Sequence, residues 1–128
     1  MRGIRGATQI EENTVEAMEE AVAELCQALC DRNGIRPEEI GWAIFTVTHD
    51  LDADFPARAA RIRNGWHMVP MICSREIPVP GSLPRAIRVL LHVESAGDQP
   101  VRHVYLRGAR ALRPDLAEPG EPPKAGGR

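Results

Sequence analysis

The hydrophobic positions of the chain recur at two spacings, which predict an alternation of helices and strands. Between residues 14 and 33 the apolar side chains lie three to four residues apart, the period of one face of an α-helix. These positions are Val15, Met18, Val22, Leu25 and Leu29. We therefore predict an amphipathic helix over residues 14–33. Asn13 with Glu16 gives it a capping-box-like start, and Gly34 stands where a left-handed C-cap would lie.

Short runs rich in β-branched, aromatic and other apolar residues predict the strands. They cover residues 2–10, 42–48, 69–73, 86–94 and 101–106. We expect the run 42–48 to be a central strand. Gly3 and Gly6 in the first run indicate close contacts of the backbone with neighbouring groups.

Prolines and glycines mark the remaining boundaries. Pro37 begins a short helical turn, and Pro56 is placed to be the first residue of a second helix that runs to Gly65. Residues 74–85 hold three prolines and a glycine, which predicts a shaped loop. From residue 117 onward the chain has little apolar mass. We expect one domain over residues 1–116 and a flexible C-terminal tail over residues 117–128.

Strands interleaved with two helices predict an α/β (α+β) fold, in which a mixed β-sheet carries its helices on one face. The other face of such a sheet must also be covered. For a chain of 128 residues, self-association is the economical way to cover it.

Charge and composition argue against several functions. The chain is 43% hydrophobic and 27% charged, as in ordinary globular proteins, with a net charge of −2. No basic field is available to attract nucleic acid or an anionic membrane. No apolar stretch approaches the ~18 residues of a membrane span. No apolar segment follows the opening residues as it would in a signal peptide, so we expect a cytoplasmic protein.

The three cysteines do not form a disulfide framework. Cys26 and Cys30 lie four residues apart on the predicted helix, and we interpret them as small core residues. The four histidines show no spacing that would complete a zinc site with them. We therefore predict no metal.

The arginines are the most informative charged residues. Arg5, Arg58, Arg61 and Arg88 lie beside apolar segments, and Arg88 stands inside the apolar run 87–91. A charge there is costly unless it is paired. The planar guanidinium offers a fork of donors that matches a carboxylate. The pattern indicates a pocket that holds a small polyanion among apolar side chains.

The other reactive residues suggest a reaction without a nucleophile. Ser74 and Ser82 lack a Gly-x-Ser-x-Gly context, and the chain has no glycine-rich phosphate loop. Cys73, Glu76 and Tyr105 remain as candidates beside the arginines. Such a set suits a reaction in which the protein only confines the substrate and places charged groups around it.

Six groups of residues, in this order, resemble the small trimeric chorismate mutases of the AroH class. They are Arg-Gly-Ile-Arg-Gly-Ala-Thr at 2–8; Phe-Pro-Ala-Arg-Ala-Ala-Arg at 55–61, followed by Gly65-Trp66 and Val69-Pro70; Cys73 with Glu76; Ile-Arg-Val at 87–89; Arg-His-Val-Tyr-Leu at 102–106; and Leu-Arg-Pro-Asp-Leu at 112–116. The similarity covers nearly the whole predicted domain.

The resemblance implies a homotrimeric pseudo-α/β-barrel, with helices outside and three active sites in the clefts between subunits. It implies the Claisen rearrangement of chorismate to prephenate, a step toward phenylalanine and tyrosine. No cofactor, metal or covalent intermediate takes part in that family. The absence of further domains leads us to expect a monofunctional enzyme.

The resemblance also implies roles for individual residues. Arg88 would be the catalytic cation at the ether oxygen, and Arg5 with Tyr105 would bind the side-chain carboxylate. Glu76 and Cys73 would contact the ring hydroxyl, and Glu76 would also face the developing positive charge of the ring.

A second group of positions would line or close the pocket. Phe55, Ala57, Arg58 and Arg61 would come from the adjacent subunit, and Leu112 and Arg113 from a C-terminal segment that covers the site. Met71 and Ile72 also belong to the implied set. The sequence departs from the family here: Arg58 replaces a common lysine, Met71 and Ile72 replace smaller residues, and the loop 95–100 is about one residue shorter.

Each residue has a simpler interpretation. Arg5 and Arg88 could be structural ion-pair partners, with Glu76 a candidate partner. Cys73 and Tyr105 could be core residues, Arg58 and Arg61 a solvated helix face, and Phe55 a hydrophobic staple. Two other functions also stay open at this point. They are a trimeric Rid-type imine or enamine deaminase and a non-catalytic binding module for a shikimate-pathway metabolite.

Overall fold

A computed structural model of the protein describes residues 2–94 and 99–116, and shows a five-stranded sheet with two α-helices packed on one face. The elements are β1 (Arg2–Gln9), α1 (Val15–Asn33), β2 (Ile40–Val47), α2 (Pro56–Asn64), β3 (Met71–Arg75), β4 (Ala86–Val93) and β5 (Val104–Tyr105). Short 3-10 helices cover Pro37–Glu39, Arg107–Ala111 and Pro114–Leu116. The predicted mixed α+β class is confirmed.

The strand order is β3-β2-β4-β1-β5, so β4 is the central strand. β4 pairs antiparallel with β1 and β2, while β3 runs parallel to β2 and β5 parallel to β1. Our expectation that residues 42–48 form a central strand is confirmed, because β2 pairs with β3 on one side and with β4 on the other. The crossover through α2 places β3 on the outer side of β2, and β4 then enters between β2 and β1.

Alternation along β4 explains how an apolar run holds an arginine. Ile87, Val89 and Leu91 are buried on the face that packs against the helices. Arg88 and Leu90 alternate onto the other face, as neighbouring residues of a strand must. We call that second face of the sheet the open face. Its rows across β2 and β4 pair Thr46 with Arg88, Ile44 with Leu90 and Trp42 with His92.

Helix α1 begins one residue later than predicted and has a different N-cap. The Thr14 hydroxyl accepts a hydrogen bond from the backbone N–H of Ala17 at 3.0 Å, so Thr14, not Asn13, caps the helix. The Asn13 amide instead holds a neighbouring loop, because it donates to the Asp52 carboxylate and accepts from that residue's N–H. Gly34 is in the left-handed conformation at φ 62°, as predicted.

The buried stripe of α1 contains both of its cysteines. Cys26 and Cys30 belong to the main core, which confirms their interpretation as core residues. Burial raises the pKa of the Cys26 thiol, and it raises the pKa of the Cys30 thiol to about 11. Both side chains therefore stay thiols near neutral pH.

The other boundaries differ from the prediction mainly at the sheet edges. α2 begins at Pro56 and is followed by Gly65 in the left-handed conformation, as expected. The strand expected at 69–73 lies at Met71–Arg75, and the one expected at 101–106 is reduced to Val104–Tyr105. Residues 95–98 of the shortened loop and the predicted tail 117–128 lie outside the described residues.

No helix in the described part of the chain combines the length and the apolar character that crossing a bilayer requires.

The two glycines of β1 give a matched stability test. A methyl group at Gly6 would lie 3.0–3.2 Å from Leu29, Val89 and Leu25, whereas at Gly3 it would meet nothing within 4 Å. The predicted close contact is therefore correct for Gly6 and wrong for Gly3.

We expect Gly6→Ala to lower the free energy of unfolding by about 1–3 kcal/mol, because it overpacks the contact between β1 and α1. Gly3→Ala adds no such contact and serves as the control. Urea unfolding of both variants at one protein concentration measures the difference. Equal stability of the two variants would contradict this account of Gly6.

Candidate active site

The Glu76 carboxylate and the Arg88 guanidinium form a bidentate pair at the edge of the open face. Arg88 Nε donates to Glu76 Oε2 at 2.6 Å, and Arg88 Nη2 donates to Oε1 at 2.8 Å. Glu76 directly follows β3, and its N–H donates to the carbonyl of Val47 at 2.8 Å. The Thr46 hydroxyl also donates to Glu76 Oε2. Glu76 is therefore held from its backbone and from both carboxylate oxygens.

This pairing keeps both groups charged. The hydrogen bond from Arg88 lowers the pKa of Glu76, and the one from Thr46 adds to that effect. The same contact raises the pKa of Arg88. The side chain of Arg88 is 56% exposed, whereas that of Glu76 is 17% exposed. The pair thus presents a cation on the open face and keeps the carboxylate beneath it. The ion pair between Arg88 and Glu76, which was the simpler interpretation of Arg88, is therefore formed.

Arg5 differs from Arg88 in having a free guanidinium. It lies on β1 opposite Leu90, and its side chain is exposed on the open face. Within residues 2–94 and 99–116, no carboxylate lies within 4.0 Å of its guanidinium. Its backbone N–H donates to His103 Nδ1 at 2.9 Å. Arg5 therefore presents a positive charge on the open face, and that charge also acts on the Asp115 carboxylate, whose pKa is lowered mainly by Arg113 and to a smaller extent by Arg5.

A cavity of about 290 Å³ brings these groups together. Its lining residues are Arg5, Gly6, Ile44, Thr46, Arg88, Val89, Leu90 and Tyr105. Two arginines and a nearly buried tyrosine thus line a largely apolar wall. Three of the predicted site residues, Arg5, Arg88 and Tyr105, therefore lie around one cavity, and its binding of a small polyanion stays a prediction.

A second cavity, of about 320 Å³, lies along the other side of the Glu76–Arg88 pair. Leu112 lines it together with Leu83 and Ala86. The next residue, Arg113, forms two hydrogen bonds with Asp115, at 3.0 and 3.1 Å, and is half-buried. The structure therefore places the start of the C-terminal segment beside the pair.

The residues of β3 divide between the two faces. Cys73 pairs with Phe45 of β2. The side chains of Cys73 and Met71 both pack against the main core. Ile72 pairs with Ile44 and is 63% exposed on the open face. The thiol of Cys73 therefore lies on the helix side of the sheet, away from Arg88.

The candidate residues of α2 also lie apart from Arg88 within one chain. Phe55 is 69% exposed at the start of α2, and Ala57 is buried. Arg58 pairs with Asp54 at 3.1 Å, while Arg61 is exposed. Because α2 packs on the helix side, the sheet separates these residues from the open face. One chain brings together only part of the predicted set.

Thr46 is a functional candidate that the sequence reasoning missed. It is directly opposite Arg88 in the pairing of β2 with β4, it lines the cavity, and its hydroxyl orients Glu76. In the sequence, the signal for this role was a polar residue between the apolar residues Phe45 and Val47. Only the register of the two strands shows that it faces Arg88.

The described residues contain no group of three or more His, Cys, Asp or Glu side chains that could hold a metal ion.

The chain is similar in sequence and in structure to known proteins. The family model described as chorismate mutase type I matches residues 1–116. The chain is 54% identical over 119 residues to chorismate mutase AroH of Thermus thermophilus, covering 91% of this chain and 96% of that protein. It is 40% identical over 118 residues to chorismate mutase AroH of Bacillus subtilis strain 168, covering 91% and 93%. The solved structure of a chorismate mutase from Clostridium thermocellum superposes with a TM-score of 0.83 at 43% identity, covering 88% of this chain and all of that one.

Proposed function

Because the chain belongs to the chorismate mutase type I family and is a chorismate mutase, an isomerase, we propose that it rearranges chorismate to prephenate in the cavity beside Arg88. The observation that carries this proposal is the placement of Arg5 and Arg88 on one largely apolar cavity wall. The reaction is a step of aromatic amino-acid biosynthesis.

Confinement is the first contribution of this cavity. Chorismate carries two carboxylates and an enolpyruvyl ether on a cyclohexadiene ring, and in water it mostly holds an extended conformation that cannot react. Arg5, with Tyr105 beside it, binds the side-chain carboxylate, while Arg88 contacts the ether oxygen and one carboxylate. Two fixed cations thereby hold the side chain over the ring and remove much of the entropic part of the barrier.

Charge placement is the second contribution. In the transition state the C–O bond is largely broken before the C–C bond forms, so negative charge develops on the ether oxygen. The exposed Arg88 guanidinium, already oriented by Glu76, interacts more strongly with that oxygen than with the ground-state ether. No nucleophile, proton transfer, metal or cofactor is required.

Glu76 has two roles in this proposal. It holds the Arg88 fork in place, and its carboxylate contacts the ring hydroxyl and faces the positive character that develops on the ring. Because the Cys73 side chain packs against the core, its contact with the hydroxyl comes from its main chain.

We propose that the active enzyme is a cytoplasmic homotrimer, with residues 1–116 of each chain as the catalytic domain. The open face supports association, because Ile72, Leu90 and Trp42 are 63%, 41% and 37% exposed on it. Phe55, Ala57, Arg58 and Arg61 of a second copy complete each pocket, and Leu112 and Arg113 cover it. Ile72 forms part of the same cleft with its side chain, and Met71, whose side chain packs against the core, with its main chain.

The direct test is an assay of chorismate consumption by the purified protein, with prephenate identified as the product. We expect conversion without any added metal or cofactor. Tight binding of chorismate without conversion would instead support a non-catalytic binding module, and would contradict this proposal.

We expect kcat to be nearly constant between pH 6.5 and pH 9. The lowered pKa of Glu76 means that this carboxylate gains a proton only at a pH below its usual range, and the raised pKa of Arg88 keeps the guanidinium charged throughout. Steady-state rates at saturating chorismate measure the profile. A bell-shaped profile centred near pH 7 would indicate rate-limiting proton transfer and contradict the mechanism.

A further inference from the structure

We propose that His103 is a positioning residue for substrate binding, which orients Arg5 through a hydrogen bond to the Arg5 backbone. This inference rests on the carboxylate-binding role of Arg5 proposed above. His103 lies just before β5, and its half-buried ring reaches the backbone of β1.

The imidazole of His103 extends the pairing of β1 with β5. The two strands pair only at Gly6 with Val104 and Ala7 with Tyr105. The backbone N–H of Arg5 lies one residue before that pairing and donates to His103 Nδ1 at 2.9 Å. A side-chain nitrogen therefore takes the place of a strand carbonyl at the residue whose side chain lines the cavity.

His103 is itself fixed by the end of α1. The Asn33 side chain accepts from the N–H of Arg102 at 2.8 Å and donates to the carbonyl of Arg102 at 2.9 Å. Its amide also donates to the carbonyl of Leu29 in the last turn of α1. The backbone beside His103 is thus hydrogen-bonded to α1, whose inner face is buried in the core. The His103 ring is therefore a rigid support for β1.

The protonation state of His103 suits this role. Nδ1 can accept a hydrogen bond only when it carries no proton. Burial lowers the pKa of His103, and the positive charges of Arg5 and Arg113 lower it further. The ring is therefore neutral near pH 7, with its proton on Nε2.

Arg5 needs such a support because its guanidinium forms no ion pair within the described part of the chain. Arg88 is oriented by two hydrogen bonds from its own guanidinium to Glu76, whereas among the described residues Arg5 is held through the hydrogen bond of its backbone, and the Asp115 carboxylate attracts its guanidinium only from beyond ion-pair distance. Loss of the His103 acceptor leaves the N–H of Arg5 unpaired and lets this stretch of β1 shift. We expect this shift to weaken first the binding of the substrate's side-chain carboxylate by Arg5.

The test compares three single variants, His103→Leu, His103→Asn and Arg5→Ala, and one double variant. Each is measured by steady-state kinetics and thermal unfolding. We expect His103→Leu to raise KM for chorismate about tenfold, the size of one lost hydrogen bond, and to change kcat less. His103→Asn offers Oδ1 near the position of Nδ1 and is expected to restore KM to within about threefold of wild type. In the double variant His103→Leu with Arg5→Ala, the two effects on KM should not add.

Each contrary outcome has a distinct meaning. An unchanged KM in His103→Leu, with KM raised in Arg5→Ala, overturns the role of His103 and leaves the proposed function intact. Equal losses of stability and kcat in both His103 variants indicate a general structural role and also overturn it. An unchanged KM in Arg5→Ala overturns both this inference and the proposed role of Arg5.

Discussion

Replacing Arg88 with alanine is expected to lower kcat by at least about 10²–10³-fold, equivalent to roughly 3–4 kcal/mol of transition-state stabilisation. The guanidinium lies on the cavity wall, and two hydrogen bonds to Glu76 orient it before substrate arrives. A cation oriented in advance stabilises developing negative charge without reorganisation during the reaction. The loss should therefore appear in kcat as well as in kcat/KM.

The controls separate this electrostatic role from a structural one. Arg88→Ala leaves the Glu76 carboxylate with Thr46 as its side-chain donor, so the variant must be checked for an unchanged unfolding midpoint. Arg88→Lys keeps the charge but loses the bidentate fork, and we expect it to recover only part of the rate. Arg36→Ala, which removes an exposed arginine just before the first 3-10 helix, should retain wild-type kcat. A folded Arg88→Ala enzyme within about fivefold of wild type would contradict the assignment.

The helices were predictable because their signals are local. The apolar period of α1, the proline that opens α2 and the glycines that follow both helices are each readable within a few residues of sequence. The choice of Asn13 as N-cap failed because its amide binds the loop at Asp52, a contact 39 residues away. The central position of β4 depends in the same way on long-range pairing that no local pattern contains.

The site was predictable in its charges and less so in its geometry. An arginine inside the run 87–91 must alternate onto a different face from its neighbours, and the structure shows this for Arg88. The pairing with Glu76 was an open alternative, and it is formed. The contact of Thr46 with Glu76 and the inward direction of the Cys73 side chain both depend on the register of β2, which the sequence does not show.

The proposed site residues lie on both faces of the sheet, which limits how the subunits can assemble. Arg5 and Arg88 lie on the open face, whereas Arg61 lies on α2 behind the sheet. A pocket that uses all three must take Arg61 from another copy. In a ring of three identical chains, every cleft then pairs the open face of one subunit with α2 of the next.

Mixed trimers of two inactive variants should therefore regain activity. In a trimer assembled at random from equal amounts of Arg88→Ala and Arg61→Ala chains, a cleft is intact when an Arg61→Ala chain supplies Arg88 and an Arg88→Ala chain supplies Arg61. This holds for about a quarter of the clefts, so we expect about a quarter of wild-type activity. The two proteins are unfolded together and refolded, subunit exchange is verified by native mass spectrometry, and chorismate turnover is measured.

The matched control is the mixture of Arg88→Ala with Arg5→Ala chains. Arg5 and Arg88 line the same cavity of one chain, so every cleft of this mixture lacks one of the two cations. It should stay as inactive as its components, although its trimers form in the same way. Recovery in the first mixture but not in the second would place Arg61 and Arg88 on different subunits of one cleft. If both mixtures stay inactive after verified exchange, and both parent variants are inactive when refolded alone, each chain must complete its own site, and the shared cleft is wrong.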